Sequence, residues 1–255
     1  MKIEDCVALV TGGSSGLGEA CARNFVGKGA KSSIVDLATE KGMALAQELG
    51  PSAIFCKANV SDEKDIRASI ERTVESLGVI NVVVCCAGIS LPAKVIGKEG
   101  PLKMEDFNRV IQVNLLGTMN VIRLAAEKIS KNTPNQDGER GVIITTASAA
   151  AFEGQIGQAS YSASKAGIVG LTLPIAREFA DYGIRVVTIA PGLFNTPMLA
   201  ALPEKAKEAL GQMIPFPKRL GRPSEFASLV EHIIENPMIN GETIRLDGAL
   251  RMAAR

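Results

Sequence analysis

Short apolar segments alternate with longer amphipathic segments along the entire chain. Six apolar segments are predicted to be strands, and a seventh is predicted near the C-terminus: 6–11, 31–36, 53–60, 80–88, 141–148, 184–192 and 242–247. Several are apolar at every position, which indicates a sheet that is covered on both faces. The segments between them have helical spacing, and some end in glycine. This alternation predicts one α/β domain, residues 1–255, with a doubly wound parallel sheet of about seven strands and helices on both faces.

The overall composition is that of a globular protein and argues against several kinds of partner. Of the 255 residues, 46% are hydrophobic and 22% are charged, and the formal net charge is +1. This balance gives no global field for nucleic acid or an anionic membrane, and no apolar run is long enough to span a bilayer. The N-terminus shows no secretory signal and no Arg-rich presequence. We expect no membrane association and a cytoplasmic location, or the mitochondrial matrix if the source is a eukaryote.

Cysteine and histidine usage argues against a metal site. The five cysteines are odd in number, lie mostly in apolar runs and lack metal-type spacing, which fits a reducing compartment. His232 is the single histidine and lies in an apolar helical stretch. One histidine supports neither a structural zinc site nor a His-based triad, so we predict no metal.

Three segments interrupt the alternation. Residues 91–104 and 131–141 are polar, rich in glycine and proline, and are predicted to be surface insertions. Residues 193–221 follow a strand and mix apolar residues with prolines. Ligands of such sheets bind beyond the carboxyl ends of the strands, where this segment begins. We therefore predict that 193–221 is a mobile substrate lobe over a pocket.

A cluster of glycines lies between the first strand and the first helix. Gly12, Gly16 and Gly18 in "VTGGSSGLGEA" allow a tight turn, close approach of the backbone to a pyrophosphate, and close helix–strand packing. The backbone amides near Ser15 and Leu17 would face an anion at the positive end of the helix. At this position in an α/β chain, the cluster predicts a dinucleotide site of the Rossmann type.

An aspartate at the end of the second strand bears on the choice of cofactor. Asp36 lies about 20 residues beyond the glycine loop, where a carboxylate accepts hydrogen bonds from the adenosine ribose. Its charge would repel a 2′-phosphate, and neither Ser14, Ser15 nor Leu37 supplies a cation. A strand-end Asp that caps the next turn is the structural alternative. With the glycine loop before it, Asp36 favours NAD over NADP.

A tyrosine and a lysine stand four residues apart in "SYSASKAG". Tyr161 and Lys165 share one helix face, and we expect Lys165 to lower the pKa of the phenol, with help from a positively charged nicotinamide. The phenol would then serve as the base that removes the proton from an alcohol. Ser148, which ends the strand 141–148, would hold the substrate oxygen, and Asn114 would anchor a water that leads protons away. Taken alone, each of these residues is more often structural than catalytic.

Together these motifs resemble the short-chain dehydrogenase/reductase family over essentially the whole chain. The resemblance rests on "TGGSSGLG", "CCAG", "VNLLGT", Ser148 followed by "YSASK", and "APGLFNTP". It implies a metal-free catalytic site of Ser148, Tyr161 and Lys165, aided by Asn114. It also implies a homotetramer.

Longer stretches, such as "AAFEGQIGQASYSASKAG" and "GETIRLDGALRM", are similar to the type 2 3-hydroxyacyl-CoA dehydrogenases of that family. The similarity implies NAD-dependent oxidation of short or branched 3-hydroxyacyl-CoA thioesters, with some activity on alcohols and steroids. The substrate would be an acyl-CoA or a related small molecule, with Gln155 and the apolar residues of 193–216 lining its pocket. Besides the glycine loop, Tyr161 and Lys165, the residues expected at the cofactor are Ser15, Leu17, Asp36, Asn59, Val60, Cys86, Phe194 and Thr196.

The chain departs from the family pattern at two positions. Asn59 stands where an Asp usually holds the adenine amino group, so an acceptor remains but its charge is lost. Cys85 stands where an Asn usually ties neighbouring strands. We expect these changes to bear on cofactor affinity and on sheet stability, respectively.

Two other functions remain open from the sequence. A 3-oxoacyl-acyl-carrier-protein reductase has nearly the same motifs, although such enzymes usually take NADPH, which Asp36 disfavours. A dinucleotide-binding scaffold or RNA-associated subunit is a non-enzymatic alternative, although it would have no physical need for Ser148, Tyr161 and Lys165. Arg140 and the lysines of 91–104 are either contacts for CoA phosphates or solvated loop charges. The acyl length stays open.

Overall fold

The structure is a computed structural model that describes residues 1–98, 100–200 and 202–254. Seven parallel strands form a central sheet in the order β3-β2-β1-β4-β7-β8-β9. The order reverses between β1 and β4, and in such sheets the ligand crevice lies beyond the carboxyl ends of the strands at this point. The strands of the sheet are β1 Val7–Thr11, β2 Lys31–Asp36, β3 Ala53–Lys57, β4 Val82–Cys85, β7 Gly141–Thr146, β8 Ile184–Pro191 and β9 Thr243–Leu246.

Helices cover the sheet on both faces. Against one face pack side chains of α3, α5 and α6, and against the other pack side chains of α1 and α9, with α2 closing a smaller cluster beside α1. The strands β1, β4 and β8 are buried at every position, which explains why their sequences show no polar alternation. The helices are α1 Gly16–Gly27, α2 Thr39–Leu49, α3 Glu63–Leu77, α4 Met104–Ile111, α5 Thr118–Ile129, α6 Ala159–Phe179, α7 Pro197–Ala200, α8 Glu204–Gln212 and α9 Pro223–Glu235.

All seven predicted strands of the sheet are present, but most of them are shorter than predicted. The predicted strand 53–60 ends at Lys57, and the predicted strand 80–88 is Val82–Cys85. The residues beyond these ends leave the ladder as loops at the carboxyl edge of the sheet. Apolar character alone does not mark where a strand ends, because most of these loop residues are also buried or half-buried.

The first predicted insertion contains regular structure that the sequence did not indicate. Within 91–104, β5 Ile96–Gly97 pairs antiparallel with β6 Gly100–Pro101, and the Leu102 amide donates to the Val95 carbonyl at 3.0 Å. Glu99 of this segment lies outside the described residues. The insertion is anchored by the Ala93 amide, which donates to the Gly157 carbonyl at 2.8 Å.

The second predicted insertion, 131–141, is a run of turns at the amino edge of the sheet. The Asn135 side chain accepts hydrogen bonds from the amides of Asp137 and Glu139. Arg140 donates to the carbonyls of Asn132 and Tyr182 at 2.9 and 3.1 Å. Arg140 therefore ties this loop at the edge opposite the crevice, a position that argues against its alternative role as a CoA contact.

The predicted lobe 193–221 carries α7 and α8 and is closed at its base. The Gly221 amide donates to the Leu193 carbonyl and the Asn195 amide donates to the Gly221 carbonyl, both at 2.9 Å. Ala201 of the lobe lies outside the described residues. The mobility of the lobe 193–221 stays a prediction. Within the described parts of the chain, no helix is both long enough and apolar enough to span a bilayer.

Candidate active site

The glycine loop connects β1 to α1 and passes close to the loop that follows β4. Gly12 and Gly16 have positive φ angles of 64° and 57°, which favour glycine. A Cβ on Gly12 would lie 2.7 Å from the Ala87 nitrogen, and a Cβ on Gly18 would overlap the Gly12 carbonyl. The loop therefore needs glycine for its turn and for its close packing against Ala87 and the start of α1.

The first turn of α1 leaves donors at this loop. Ser15 is the N-cap residue with extended backbone, and its side chain makes no capping hydrogen bond. The first amides of a helix have no intrahelical acceptor, so those at Gly16 and Leu17 are available to an anion. This cradle fits the phosphates of a dinucleotide.

The Asp36 carboxylate links the end of β2 to the glycine loop. Its Oδ2 accepts from the Ser14 amide and its Oδ1 from the Ala38 amide, each at 3.0 Å. A carboxylate has about four acceptor positions, so two remain for the hydroxyls of an adenosine ribose. Leu37, next in the chain, is 61% exposed and brings no charge.

Asn59 and Val60 lie beyond the end of β3, the strand that pairs with β2. The Asn59 Oδ1 accepts from the Ser61 amide at 3.0 Å, so one of its acceptor positions is already used. The Asn120 amide group donates to the Val60 carbonyl at 2.9 Å and fixes this loop against α5. Gly117 permits that packing, because a Cβ there would lie 2.7 Å from the Val60 side chain.

The start of the lobe lies against the glycine loop. A Cβ on Gly16 would come within 3.4 Å of the Thr196 side chain and 3.2 Å of Pro197. Phe194 is 7% exposed and packs with the apolar cluster on the α1 and α9 face. The structure thus brings Thr196 to the predicted cofactor site, whereas the Phe194 ring is largely enclosed by protein.

Ser148 and Tyr161 come together from two elements. Ser148 follows β7 and caps a short 3-10 turn, with its Oγ accepting from the Ala150 amide at 3.1 Å. Tyr161 lies in the first turn of α6. Burial raises the pKa of the Tyr161 phenol, and a hydrogen bond with the Ser148 hydroxyl acts in the opposite direction. The net direction differs from our expectation that a neighbouring ammonium lowers this pKa.

Lys165 lies one turn after Tyr161 on the same face of α6. Its Nζ is 5.7 Å from the centre of the Tyr161 ring and donates to the Thr146 carbonyl at 2.7 Å. The side chain is 5% exposed, and this burial lowers its pKa from 10.5 to about 8. The ammonium is thus still charged at neutral pH but is held in a place that disfavours the charge.

Asn114 lies in a π-helical segment, Gln112–Gly117, that joins α4 to α5. Such segments are often found at functional sites. Its Oδ1 accepts from the Ile89 amide at 2.8 Å, and its Nδ2 donates to the Ile89 carbonyl and to Ser164 Oγ at 2.9 and 3.0 Å. Ser164 Oγ donates in turn to the Tyr161 carbonyl at 2.7 Å. Asn114 therefore fixes the start of α6.

Gln155 lies on the loop before α6 and contacts the C-terminal segment. Its Nε2 donates to the Ala253 carbonyl at 3.1 Å, and its Oε1 accepts from Gln158 at 3.4 Å. It lines a cavity of about 420 Å³ together with Lys94 and Val95 of the first insertion. A larger cavity, about 880 Å³, lies at the amino edge of the sheet near Val7 and Arg140, away from these groups.

Two residues of the site were not predicted from the sequence. Thr146 holds Lys165 through a backbone carbonyl, which any residue type provides, so no sequence signal marks it. Ser164 stands in "SYSASKAG", between Tyr161 and Lys165. Its position three residues after Tyr161 is the signal that was available, because a Ser hydroxyl readily bonds the carbonyl one turn back.

Comparisons with known proteins agree with this geometry. A family model described as short chain dehydrogenase matches residues 6–207. The 3-hydroxyacyl-CoA dehydrogenase type-2 of Mus musculus is 56% identical over 253 residues, which are 98% of this chain and 97% of the mouse protein. The crystal structure of 3-hydroxyacyl-CoA dehydrogenase type-2 from Mycobacterium avium matches with a TM-score of 0.95 at 44% identity, covering 99% of this chain and 98% of that one. A 3-oxoacyl-acyl-carrier-protein reductase of Thermotoga maritima is 35% identical over 255 residues, 98% of this chain and 99% of that protein.

Proposed function

The chain belongs to the short-chain dehydrogenase family, and from this premise we propose that it oxidises the 3-hydroxyl group of short or branched 3-hydroxyacyl-CoA thioesters with NAD. Family membership makes the chain an oxidoreductase of small molecules that uses a nicotinamide dinucleotide. The observation that carries the proposal is that Ser148, Tyr161 and Lys165 come together at the loop after β4, against which the glycine loop also packs, in a chain 56% identical to a 3-hydroxyacyl-CoA dehydrogenase type-2.

The side chains divide the work of removing a proton from the substrate alcohol. Ser148 orients the substrate oxygen, and the Tyr161 oxygen takes the hydroxyl proton as a general base. The Lys165 ammonium, held on Thr146, stabilises the negative charge that the phenol oxygen carries after it is deprotonated. A bound nicotinamide dinucleotide supplies the hydride acceptor. The positive charge of the nicotinamide would lower the pKa of Tyr161 and so offset the effect of burial, which raises this pKa in the protein alone.

Asn114 acts on this reaction by position. The Asn114 amide group donates hydrogen bonds to the Ile89 carbonyl and to Ser164 Oγ, and Ser164 Oγ donates one to the Tyr161 carbonyl. The base is therefore tied to the π-helical segment between α4 and α5. A water that leads protons away from Lys165 stays a prediction, because the two amide hydrogens of Asn114 already have acceptors.

The residues around the crevice support NAD. The cradle of Gly12, Gly16 and Gly18 would hold the pyrophosphate, and Asp36 would accept hydrogen bonds from the adenosine ribose. Asn59, Val60, Cys86, Phe194 and Thr196 stay predicted contacts. The same carboxylate would repel a 2′-phosphate, which argues against the alternative of an NADPH-dependent reductase. The 3-oxoacyl-acyl-carrier-protein reductase of Thermotoga maritima is also only 35% identical to this chain.

The CoA thioester substrate is supported by the names of the relatives and by the groups near the site. Gln155 and Lys94 line the cavity of about 420 Å³ beside the start of α6, where a substrate that reaches Tyr161 would leave the crevice. Steroids and simple alcohols are further substrates to be assayed. We also propose a homotetramer, to be measured by sedimentation, and a cytoplasmic or matrix location.

The decisive experiment measures NAD reduction by the purified protein with 3-hydroxybutyryl-CoA. We expect turnover with NAD to exceed turnover with NADP, and the CoA thioester to be preferred over the acyl-carrier-protein thioester. Tyr161→Phe should lower kcat about 10²–10⁴-fold. The matched control is Tyr182→Phe, because Tyr182 is 51% exposed and should leave kcat unchanged. Equal loss in both variants, or full activity of Tyr161→Phe, would contradict the assignment. A series of acyl lengths then defines the substrate.

A further inference from the structure

A network of charged side chains joins the loop 149–157 to β9. Arg245, on β9, donates from its two terminal nitrogens to the two carboxylate oxygens of Glu153 at 2.6 and 2.7 Å. Its Nε donates to the Asp247 carboxylate at 2.7 Å, and its Nη2 also donates to the Leu250 carbonyl at 3.0 Å. We call Arg245, Glu153 and Asp247 the Arg245 network. It ties the loop 149–157 to the last strand of the sheet.

The geometry of the Arg245 network distinguishes it from an ordinary surface ion pair. Exposed ion pairs contribute little to stability unless they are bidentate or belong to a network, and this one is both. The side chains of Arg245 and Glu153 are 21% and 27% exposed, and that of Asp247 is 6% exposed. The hydrogen bonds from Arg245 hold the pKa of the Glu153 carboxyl below its usual range. The Arg245 guanidinium also lies 5.0 Å from the centre of the Phe152 ring.

The loop that this network holds is not anchored by burial. None of residues 151–157, all of which the structure describes, is buried. Two further hydrogen bonds reach the C-terminal segment, from Gln155 Nε2 to the Ala253 carbonyl at 3.1 Å and from the Ile156 amide to the Ala254 carbonyl at 3.0 Å. Because no apolar side chain of 151–157 enters the core, polar contacts have to fix the position of the loop, and the bidentate ion pair is the strongest kind among them.

Backbone hydrogen bonds connect Glu153 to the proposed substrate-orienting residue. The Glu153 amide donates to the carbonyl of Ala149, the residue after Ser148, at 3.0 Å. In the same turn the Ala150 amide donates to Ser148 Oγ at 3.1 Å, and the Ala151 amide donates to the Ser148 carbonyl at 3.0 Å. A displacement of Glu153 would therefore disturb the short turn that sets the direction of the Ser148 hydroxyl.

Beyond Glu153 the loop packs against the helix that carries Tyr161. A Cβ on Gly154 would lie only 2.5 Å from Ser162 Oγ, and Ser162 follows Tyr161 directly in α6. This close contact leaves no room for a side chain at Gly154. The carboxylate of Glu153 is thus held between the turn of Ser148 on one side and the first turn of α6 on the other.

The turn that presents Asp247 has an unusual backbone. Ala249 has a positive φ of 66°, a conformation that residues other than glycine rarely adopt. Its amide donates to Asp247 Oδ1 at 3.0 Å, and the neighbouring Gly248 carbonyl accepts from the Phe216 amide of the lobe 193–221 at 3.4 Å. Strained backbone persists where the surrounding structure holds it in place, and it is found most often near functional sites. The Arg245 network therefore begins in a turn that also contacts the lobe.

We propose that Arg245 and Glu153 are positioning residues for the dehydrogenase reaction, because their ion pair holds the loop 149–157 and with it the Ser148 hydroxyl. Neither side chain takes part in the proton transfer. The role rests on the proposed function, in which Ser148 orients the substrate oxygen. A displacement of about 1 Å at such a group can cost about 10²-fold in rate. The predicted NAD site at β1 and β2 has no part in the network and should be unaffected.

The first test compares the full-length protein with Arg245→Gln and Glu153→Gln, using 3-hydroxybutyryl-CoA and NAD. We expect kcat to fall about 10–100-fold in each variant, whereas the Kd for NAD, measured by calorimetric titration, should not change. Arg245→Lys keeps the charge but lacks the two-pronged guanidinium, so it should recover only part of the lost kcat. Unchanged kcat in both Gln variants, or NAD binding weakened to the same degree as kcat is lowered, would overturn the proposal.

A double variant and a control show whether the effect belongs to this pair. Arg245→Gln combined with Glu153→Gln should lower kcat no further than the more damaging single change, because both remove the same interaction. Losses that multiply would contradict a shared role. The matched control is Arg67→Gln, which breaks ion pairs with Glu63 and Glu127 at 2.8 and 3.3 Å on α3 and α5. A comparable loss of kcat in Arg67→Gln would show that the effect is not specific to the Arg245 network.

Hydrogen exchange, measured without cofactor or substrate, separates this proposal from the proposed function. The Ala150 amide donates to Ser148 Oγ, so its exchange reports directly on the place of that hydroxyl. Exchange at Ala150 should be faster in Arg245→Gln than in the unaltered protein, while the amides of β1 stay protected and show that the variant is folded. Unchanged exchange at Ala150 overturns the proposal whatever the substrate is. Failure of the unaltered protein to oxidise 3-hydroxybutyryl-CoA contradicts the proposed function, whereas faster exchange at Ala150 would still support the hold of Arg245 on Ser148.

Discussion

The Lys165 ammonium donates a hydrogen bond to the Thr146 carbonyl at 2.7 Å, so the helix that carries Tyr161 is bonded to the end of β7. Ser148 follows that strand by two residues. One interaction therefore links the positions of Tyr161 and Ser148, the proposed base and the residue proposed to hold the substrate oxygen. It also holds a cation where burial lowers its pKa to about 8, so the charged Lys165 reduces the stability of the folded protein at neutral pH.

The buried Lys165 predicts a specific dependence of stability on pH. Its pKa is about 8 in the folded protein and 10.5 in the unfolded chain, so between these values the unfolded chain binds more protons. The free energy of unfolding should therefore rise with pH, by about 2 kcal/mol from pH 8 to pH 10 relative to Lys165→Met. Urea denaturation of both proteins without cofactor measures the difference. A constant difference across this range would contradict the lowered pKa.

Asp36 predicts the choice of cofactor. Asp36→Asn keeps one acceptor for the Ser14 amide but loses the charge and an acceptor toward the ribose. Hydrogen bonds to charged groups contribute about 1.5–3 kcal/mol, so the KM for NAD should rise about 10–100-fold. The KM for NADP should fall, because the repulsion of a 2′-phosphate is removed. Asp181→Asn, at an exposed position, is the control. Unchanged values of KM for both cofactors in Asp36→Asn would place the ribose elsewhere.

The parts of the site that the sequence could predict are those in which a residue type is itself required. Gly12 has a positive φ, Asp36 supplies a charge, and Tyr161 supplies a phenol, so each leaves a mark in the sequence. The doubly wound parallel sheet also followed from the alternation of strands and helices, because right-handed crossovers leave few arrangements.

The parts that could not be predicted depend on distances between elements. Thr146 acts through its backbone, and the antiparallel pair Ile96–Gly97 and Gly100–Pro101 is too short for a periodic signal. The direction of the pKa of Tyr161 depends on how deeply the phenol is buried, whereas the spacing to Lys165 alone suggested the opposite direction.

Two glycines of the first β–α unit offer a matched test of the loop. At Gly12, with φ of 64°, a Cβ would meet the backbone of Ala87 at 2.7 Å, which cannot yield without moving the loop. Gly12→Ala should weaken NAD binding more than 10-fold and lower the melting temperature. At Gly27, the last residue of α1, no described atom apart from its immediate neighbours and its own helix backbone lies within 4 Å of a Cβ. Gly27→Ala should therefore bind NAD normally and be as stable or slightly more stable. Calorimetric titration measures NAD binding by the two variants, and their melting temperatures are compared separately. Equal NAD binding and equal stability of the two variants would contradict the close approach of Gly12 to Ala87.

Three buried hydroxyls below the active site tie α6 to the sheet. Thr145 and Thr188 are joined at 2.6 Å, Thr188 and Thr172 at 2.5 Å, and Thr172 donates to the Ile168 carbonyl at 3.0 Å. Since Thr172 gives its only proton to Ile168, Thr188 donates to Thr172 and Thr145 donates to Thr188. The hydrogen bond from Thr172 to the Ile168 carbonyl thus fixes the direction of the other two hydrogen bonds.

Removal of the middle hydroxyl should therefore cost more than removal of an exposed one. Thr188→Val leaves the Thr145 proton without its acceptor in a fully buried place, which should lower the free energy of unfolding by about 1–3 kcal/mol. Thr133→Val, at an exposed loop position, should change it by less than about 0.5 kcal/mol. In a double-mutant cycle, Thr188→Val and Thr172→Val should together cost less than the sum of the two, because the same bond is lost in each. Additive costs by urea denaturation would show that the two hydroxyls are not bonded to each other.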